Sequence, residues 1–395
     1  MVQIAVADRI RKMSAVTQRI MEYMSESRWA ERQDEPGISD FVLGNPHDMP
    51  LAEFSDALQK WSVPQSKDWF AYKMSEPESQ EVVARTLRES HGMPFEPEDI
   101  LMTNGAFAAI AVTLSTITDP GDEIIYISPP WFFYEAMILS NGGRAVRVAC
   151  DPDTFDLDLQ AIETAITPQT RGIIVNSPNN PTGRIYPPET LRGLAELLSA
   201  ASERHGQPIY LLSDESYHRI VFDGRAYPSP TAFYPHAFML YTYGKTLLTP
   251  GQRLGYVALP PTMPDRETMR AALTLSQFVT GYAFPNALLQ HALPDIEALS
   301  IDVGRLQARR DHLVGALREM GYELAVPEGT FYLLVRSPLA DEMAFMDLLA
   351  DYDVFCLPGS LFEMPGYFRI SLTANEDMIE HALPGFAAAK EQASG

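Results

Sequence analysis

Tyr241-Thr242-Tyr243-Gly244-Lys245-Thr246-Leu247-Leu248-Thr249-Pro250-Gly251-Gln252-Arg253-Leu254-Gly255-Tyr256 joins two short apolar runs through a turn rich in hydroxyl side chains. It sets one lysine in that turn and an arginine eight positions later. A lysine amine can form a Schiff base with an aldehyde. An arginine presents a planar fork that suits a phosphate. Most lysines are solvated surface charges. The pair therefore carries meaning only if the rest of a site for an aldehyde-bearing phosphate ester lies elsewhere in the chain.

The runs on either side belong to a longer series. Short β-rich runs occur at 99–103, 123–127, 145–149, 172–175, 209–212, 238–243 and 254–259. Helical stretches separate many of them, for example 107–117, 159–164 and 188–203. Such alternation predicts an α/β layer built on a mostly parallel sheet. After Pro264 the pattern changes. Helices are expected at 269–276 and 301–320, followed by strands at 322–324, 331–335, 354–357 and 368–372 and helices at 344–352 and 376–388. This reads as a second, smaller α+β lobe. Residues 1–29 read as an amphipathic helix, with Ile4, Val6, Ile10, Met13, Val16, Ile20 and Met24 near helical spacing. The expected organisation is an N-terminal segment (1–50) contributing to the small domain, a large domain (51–290) and a small C-terminal domain (291–395).

Composition limits the function. The chain has 395 residues, 46% of them hydrophobic, enough for two sizeable cores. Its 52 acidic and 30 basic residues give a formal charge of −22, which argues against nucleic acid and against an anionic membrane surface. Cys150 and Cys356 form no metal or redox pattern, and the eight histidines include no His-x-x-x-His pair. No signal peptide or membrane-spanning run is read, so a cytoplasmic protein without a metal is expected.

Further segments supply what the lysine and arginine need. Thr103-Asn104-Gly105-Ala106-Phe107 follows an expected strand and opens a helix, whose N–H groups can hold phosphate. Asn176-Ser177-Pro178-Asn179-Asn180-Pro181-Thr182-Gly183 follows the 172–175 strand, which should set it at a carboxyl end of the sheet, where open α/β sheets bind ligands. Ser213-Asp214-Glu215-Ser216-Tyr217 follows the next strand; an aspartate there can keep a pyridine nitrogen protonated. Pro129-Pro130-Trp131-Phe132-Phe133-Tyr134 offers a flat aromatic face. Each segment alone is also an ordinary turn, cap or core cluster. Together they match one cofactor, pyridoxal 5'-phosphate, which has an aldehyde, a phosphate and a pyridine ring.

On these motifs the chain resembles the fold-type I pyridoxal phosphate enzymes, specifically the class I/II aminotransferases, from about Gly44 to Leu383. The resemblance implies a fold with a large cofactor domain, a small domain built from both chain ends, and a homodimer with shared active sites. It implies that Lys245 is the Schiff-base lysine and the base at the substrate Cα. Asp214 corresponds to the partner of the pyridine nitrogen, Asn180 and Tyr217 to the partners of the ring oxygen, and Trp131 to the stacking ring. Arg253, Thr242 and the backbone of Gly105, Ala106 and Phe107 correspond to the phosphate cup. Arg369, in Tyr367-Phe368-Arg369-Ile370-Ser371, corresponds to the grip on the substrate α-carboxylate, with Gly44 and Asn180 beside the substrate. Tyr72 is the candidate for a tyrosine that reaches the partner chain's phosphate, with Phe70 as the alternative. Gly244 and Ala106 stand where many relatives carry a hydroxyl residue, which implies a thinner cup. Side-chain specificity is expected from 45–48, 67–73 and 277–282, with His47 and Asp48 as possible polar contacts. The implied activity is amino transfer from an L-amino acid to a 2-oxo acid. The alternative on the same scaffold is elimination, cyclisation, or O2-dependent oxidation or hydroxylation of an amino acid. A non-enzymatic regulator is disfavoured, because residues 1–35 are too few for a DNA-binding module.

Overall fold

The computed structural model describes residues 6–394; part of the expected N-terminal helix, including Ile4, lies outside the described residues. Seven strands form the central sheet: β1 (Ile100–Thr103), β2 (Glu123–Ser128), β3 (Arg144–Ala149), β4 (Thr170–Asn176), β5 (Tyr210–Asp214), β6 (Ala237–Thr242) and β7 (Gly255–Ala258). Their order across the sheet is β1-β7-β6-β5-β4-β2-β3. All pairs are parallel except those of β7, which runs against both β1 and β6. Parallel strands are covered on both faces and so read as continuous apolar runs.

Successive side chains go to opposite faces. Ile174, Leu212 and Leu240 pack with the helix Ala106–Ile117, whereas Ile173, Val175 and Leu211 pack with the helix Pro188–His205. A third cluster joins Met102, Met239 and Tyr241 to the helices Ala52–Trp61, Pro77–His91 and Ala287–Ile296. Residues 290 and 291 both lie within the helix Ala287–Ile296, which packs in this cluster.

The smaller sheet is antiparallel, with β8 (Tyr332–Arg336), β9 (Leu357–Pro358) and β10 (Tyr367–Ser371) in the order β9-β10-β8. Its core includes Phe331, Phe345, Phe368 and Phe386 from the sheet and its helices. Each such ring contributes about 1.5–3 kcal/mol when taken fully out of water. The N-terminal segment is stitched to this lobe. Ser39–Asp40 pairs in parallel with Val354–Phe355, and Ser371 N donates to Phe41 O at 3.0 Å. The helix Asp8–Glu26 ends at Ser27, whose side chain caps the next helix, Arg28–Arg32. The strand expected at 322–324 is reduced to one bridge, Leu324 to Val335; Tyr322 instead turns into the core and donates to Phe386 O at 2.8 Å. Among the described residues no helix is long and apolar enough to cross a membrane.

Candidate active site

Sheet register brings the motifs together. Thr103 and Thr242 both lie opposite Gly255, while Asn176 lies opposite Asp214. Because β7 is antiparallel, its start sits at the same edge as the ends of β1 and β6. The long loop from Lys245 to Arg253 therefore returns to where it left the sheet.

A cavity of about 670 Å³ opens at this edge. Gly44, Ala106, Phe107, Trp131, Asn180, Asp214, Tyr217, Thr242, Lys245, Arg253 and Arg369 all line it. Gly105 lies at its wall: a Cβ there would stand 2.7 Å from Arg253 Nη2 and 3.4 Å from Thr242 Oγ1. Tyr72, by contrast, is not among the residues that line the cavity. It is 87% exposed, with its ring centroid 4.9 Å from that of Phe284.

The lysine turn is rigid for identifiable reasons. Thr242 Oγ1 accepts from Gly244 N at 3.3 Å and caps the short turn Tyr243–Thr246. Tyr243 OH donates to Glu297, which also holds Arg219 Nη2 at 2.5 Å. Tyr241 OH and Thr246 Oγ1 lie 2.7 Å apart. Lys245 is half-buried, its Nζ 5.8 Å from the Tyr217 ring centroid and 5.6 Å from that of Phe331.

Asp214 is buried. Its carboxylate accepts from Tyr134 OH at 2.6 Å and from Ser216 Oγ at 2.5 Å. Burial pushes its carboxyl above the ordinary value, while those two hydroxyls and the Lys245 charge pull it back. The neighbouring Glu215 is pushed up to about 7 by burial, against hydrogen bonds from Ser229 and Ser213. The 176–183 loop is tied to Asp214: Asn176 Nδ2 donates to Asp214 O at 2.8 Å, and Asn176 Oδ1 accepts from Asn180 N at 2.7 Å. The Ser177–Pro178 and Asn180–Pro181 peptide bonds are cis.

Arg369 donates from Nη1 to Asn180 Oδ1 at 3.0 Å and from Nη2 to Val42 O at 2.9 Å. Its buried Nε has no hydrogen-bond partner. The guanidinium carbon lies 3.9 Å from the Tyr332 ring centroid. Burial opposes ionisation of Tyr332, yet the Arg369 and Lys245 charges bring its hydroxyl below the ordinary tyrosine value; Tyr217, its hydrogen-bond partner, is pushed up by burial.

These features fit pyridoxal phosphate. A buried carboxylate needs a cationic partner, which a protonated ring nitrogen supplies. Gly105, with φ +81, opens the helix Ala106–Ile117 and leaves room for Arg253 and a phosphate at the helix N-terminus. Gly105→Ala therefore displaces Arg253 and strains the turn. It is expected to weaken cofactor retention about tenfold or more, measured as the dissociation constant of the cofactor.

Several site residues were not anticipated: Tyr134 and Ser216 on Asp214, Asn176, and Tyr332 beside Arg369. Tyr134 ends the aromatic run at 129–134, and its position opening the helix Tyr134–Ser140 was the available signal. Asp48, considered as a substrate contact, is instead committed elsewhere. Its Oδ2 lies 2.6 Å from Arg309 Nη2, and Arg309 also holds Glu376 at 2.8 Å.

Comparison with known proteins shows the family. The family model for aminotransferase class I and II matches residues 38–386. The aspartate/prephenate aminotransferase of Thermus thermophilus is 32% identical over 359 residues, spanning 88% of this chain and 89% of that protein. An amino transferase structure from Eubacterium rectale has a TM-score of 0.91 at 30% identity, covering 100% of both chains. The aspartate aminotransferase of Thermus thermophilus with maleate has a TM-score of 0.79 at 28% identity, covering 98% of this chain and 100% of that one.

Proposed function

The chain belongs to the class I and II aminotransferases, pyridoxal phosphate enzymes that move an amino group from an amino acid to a 2-oxo acid, and we propose that in it Lys245, Asp214, Arg253 and Arg369 carry the reaction. The observation that supports this most is the convergence of all four on one cavity, with Arg369 Nε unpaired within the protein.

When bound, the cofactor supplies an electron-withdrawing ring conjugated to the substrate α-carbon. The protein's residues hold and orient. Arg253, Thr242 and the N–H groups at 105–107 take the phosphate. Asp214 balances positive charge at the ring nitrogen. Asn180 Nδ2 and Tyr217 OH would donate to the ring oxygen, and Trp131 would offer its flat face to the ring. Arg369 takes the substrate α-carboxylate with its planar fork, which fixes the direction of the Cα–H bond. Lys245 Nζ takes the Cα proton.

The working unit we propose is a homodimer. Phe70, Tyr72, Leu275, Phe278 and Val279 are exposed, between 53% and 87%, and ring contacts link Tyr72 to Phe284 and Phe284 to Phe278. Apolar surface of this kind fits an interface, and its inclusion of Tyr72 supports our reading that this tyrosine reaches a partner's phosphate. We also propose a division into a large lobe and a small lobe made from both chain ends, with the boundary after the helix Ala287–Ile296. The free cysteines fit a reducing cytoplasm.

The test is product analysis. Holoenzyme given an amino acid and a 2-oxo acid is expected to form the matching oxo acid and new amino acid in equal amounts. Ammonia or peroxide released without an acceptor would instead establish elimination or oxidation. The relatives' names would bring aspartate as donor, but its distal carboxylate requires a cation beyond Arg369.

A further inference from the structure

The cations lining the cavity among the described residues are Lys245, Arg253 and Arg369. On the reading above, each has a task before any substrate side chain arrives. Lys245 lies at the reacting carbon, Arg253 beside Gly105 at the phosphate, and Arg369 at the α-carboxylate. The remaining wall is mostly apolar: Leu43, Phe107, Ile110, Phe132, Phe133 and Tyr282.

The wall stands close to the carboxylate grip. Arg369 Nη2 is bonded to Val42 O, and Leu43 and Gly44 follow directly. Leu43 and Phe132 both pack against a buried cluster that includes Val42, Ile20, Trp29 and Leu357. The N-terminal helices thus back the side of the cavity next to Arg369. Phe107, Phe132 and Phe133 form a fixed aromatic group with Trp131. Phe107 meets Trp131 edge to face at 4.6 Å, and Phe132 meets Phe133 at 4.9 Å. A carboxylate placed against this wall would lose hydration without gaining a partner. A large apolar side chain would gain both area and ring contacts.

We propose that the preferred donor is an amino acid with a large apolar side chain, aromatic above all, and that Leu43, Phe107 and Phe132 set this preference. The inference rests on the aminotransferase reading and on Arg369 as the α-carboxylate grip.

The test separates binding from reaction. Holoenzyme is assayed with phenylalanine, leucine, aspartate and glutamate, and binding of the unreactive acids 3-phenylpropionate and succinate is followed by thermal shift. Phenylalanine is expected to exceed aspartate in kcat/KM by about a hundredfold, in the range that apolar pockets and unpaired polar groups discriminate. 3-Phenylpropionate is expected to bind at least tenfold tighter than succinate. With alanine assayed alongside, Phe132→Ala should lower kcat/KM for phenylalanine about tenfold more than that for alanine; equal losses on both donors count against Phe132. Preference for aspartate and succinate overturns the inference but leaves the aminotransferase reading intact, since a cation must then come from the partner subunit. Tight binding of 3-phenylpropionate with no turnover upholds the apolar pocket and counts against the reaction. Absence of both binding and turnover overturns both.

Discussion

Lys245→Ala is expected to lower multiple turnover by at least ~10⁴-fold while the protein remains folded. General acid–base transfer alone contributes about 10²–10⁴-fold, and on the assignment proposed above Lys245 would also hold the cofactor covalently between turnovers. Little stability should be lost. The side chain is half-buried over the Tyr217 and Phe331 rings, and the turn around it is fixed by Tyr243, Glu297, Arg219 and Thr246 rather than by the lysine. Two measurements check this. Steady-state oxo-acid formation should fall to background with a melting temperature near that of the wild type. Borohydride reduction of wild-type holoenzyme, followed by peptide mapping, should place the pyridoxyl group on the peptide containing Lys245. A variant that turns over at the wild-type rate, or an adduct on another residue, would refute the assignment.

What the sequence revealed and what it concealed have physical causes. The strands of the large sheet were legible chiefly because those covered on both faces, such as β2, β4, β5 and β6, are short and nearly continuous apolar runs. The expected 172–175 and 209–212 became Thr170–Asn176 and Tyr210–Asp214, differing only at the ends. The site motifs were legible because they follow strand ends directly, so local sequence and sheet edge coincide. Tyr332 had no such signal. It meets Arg369 because β8 and β10 pair with Arg369 opposite Leu334 and Ser371 opposite Tyr332, a relation between distant segments. The helix Ala287–Ile296 was hidden by its internal Pro294, and its place on the large lobe follows from buried Leu289, Ala292 and Leu293 rather than from chain order. Asp48 looked available because a turn-rich segment is normally solvated; Arg309, far away in sequence, claims it.

Asp214→Asn should separate activity from stability. In the wild type the carboxylate is buried, and on the assignment proposed above its charge would keep a proton on the cofactor's ring nitrogen. An amide of the same shape lacks that charge. Removal of one preorganised electrostatic partner in a buried site costs about 10²–10³-fold in kcat, so a loss of at least that size is expected at saturating cofactor. Without cofactor the sign reverses. Burial raises the Asp214 carboxyl above its unfolded value. A carboxyl raised in this way contributes stability below its unfolded pKa and loses it as pH rises through the folded pKa. At neutral pH the cofactor-free wild type therefore bears the cost of a buried charge that the amide variant does not bear. Tyr134 and Ser216 can turn their hydroxyls to donate to the amide oxygen and accept from its nitrogen. The cofactor-free variant should melt at or above the wild type at pH 7 and lose this advantage as pH falls toward 4. With cofactor bound, the wild type should melt higher, because binding stabilises the folded state that makes the stronger contact. Wild-type turnover by the holo variant, or a cofactor-free variant clearly less stable at pH 7, would show that Asp214 serves the fold rather than the ring.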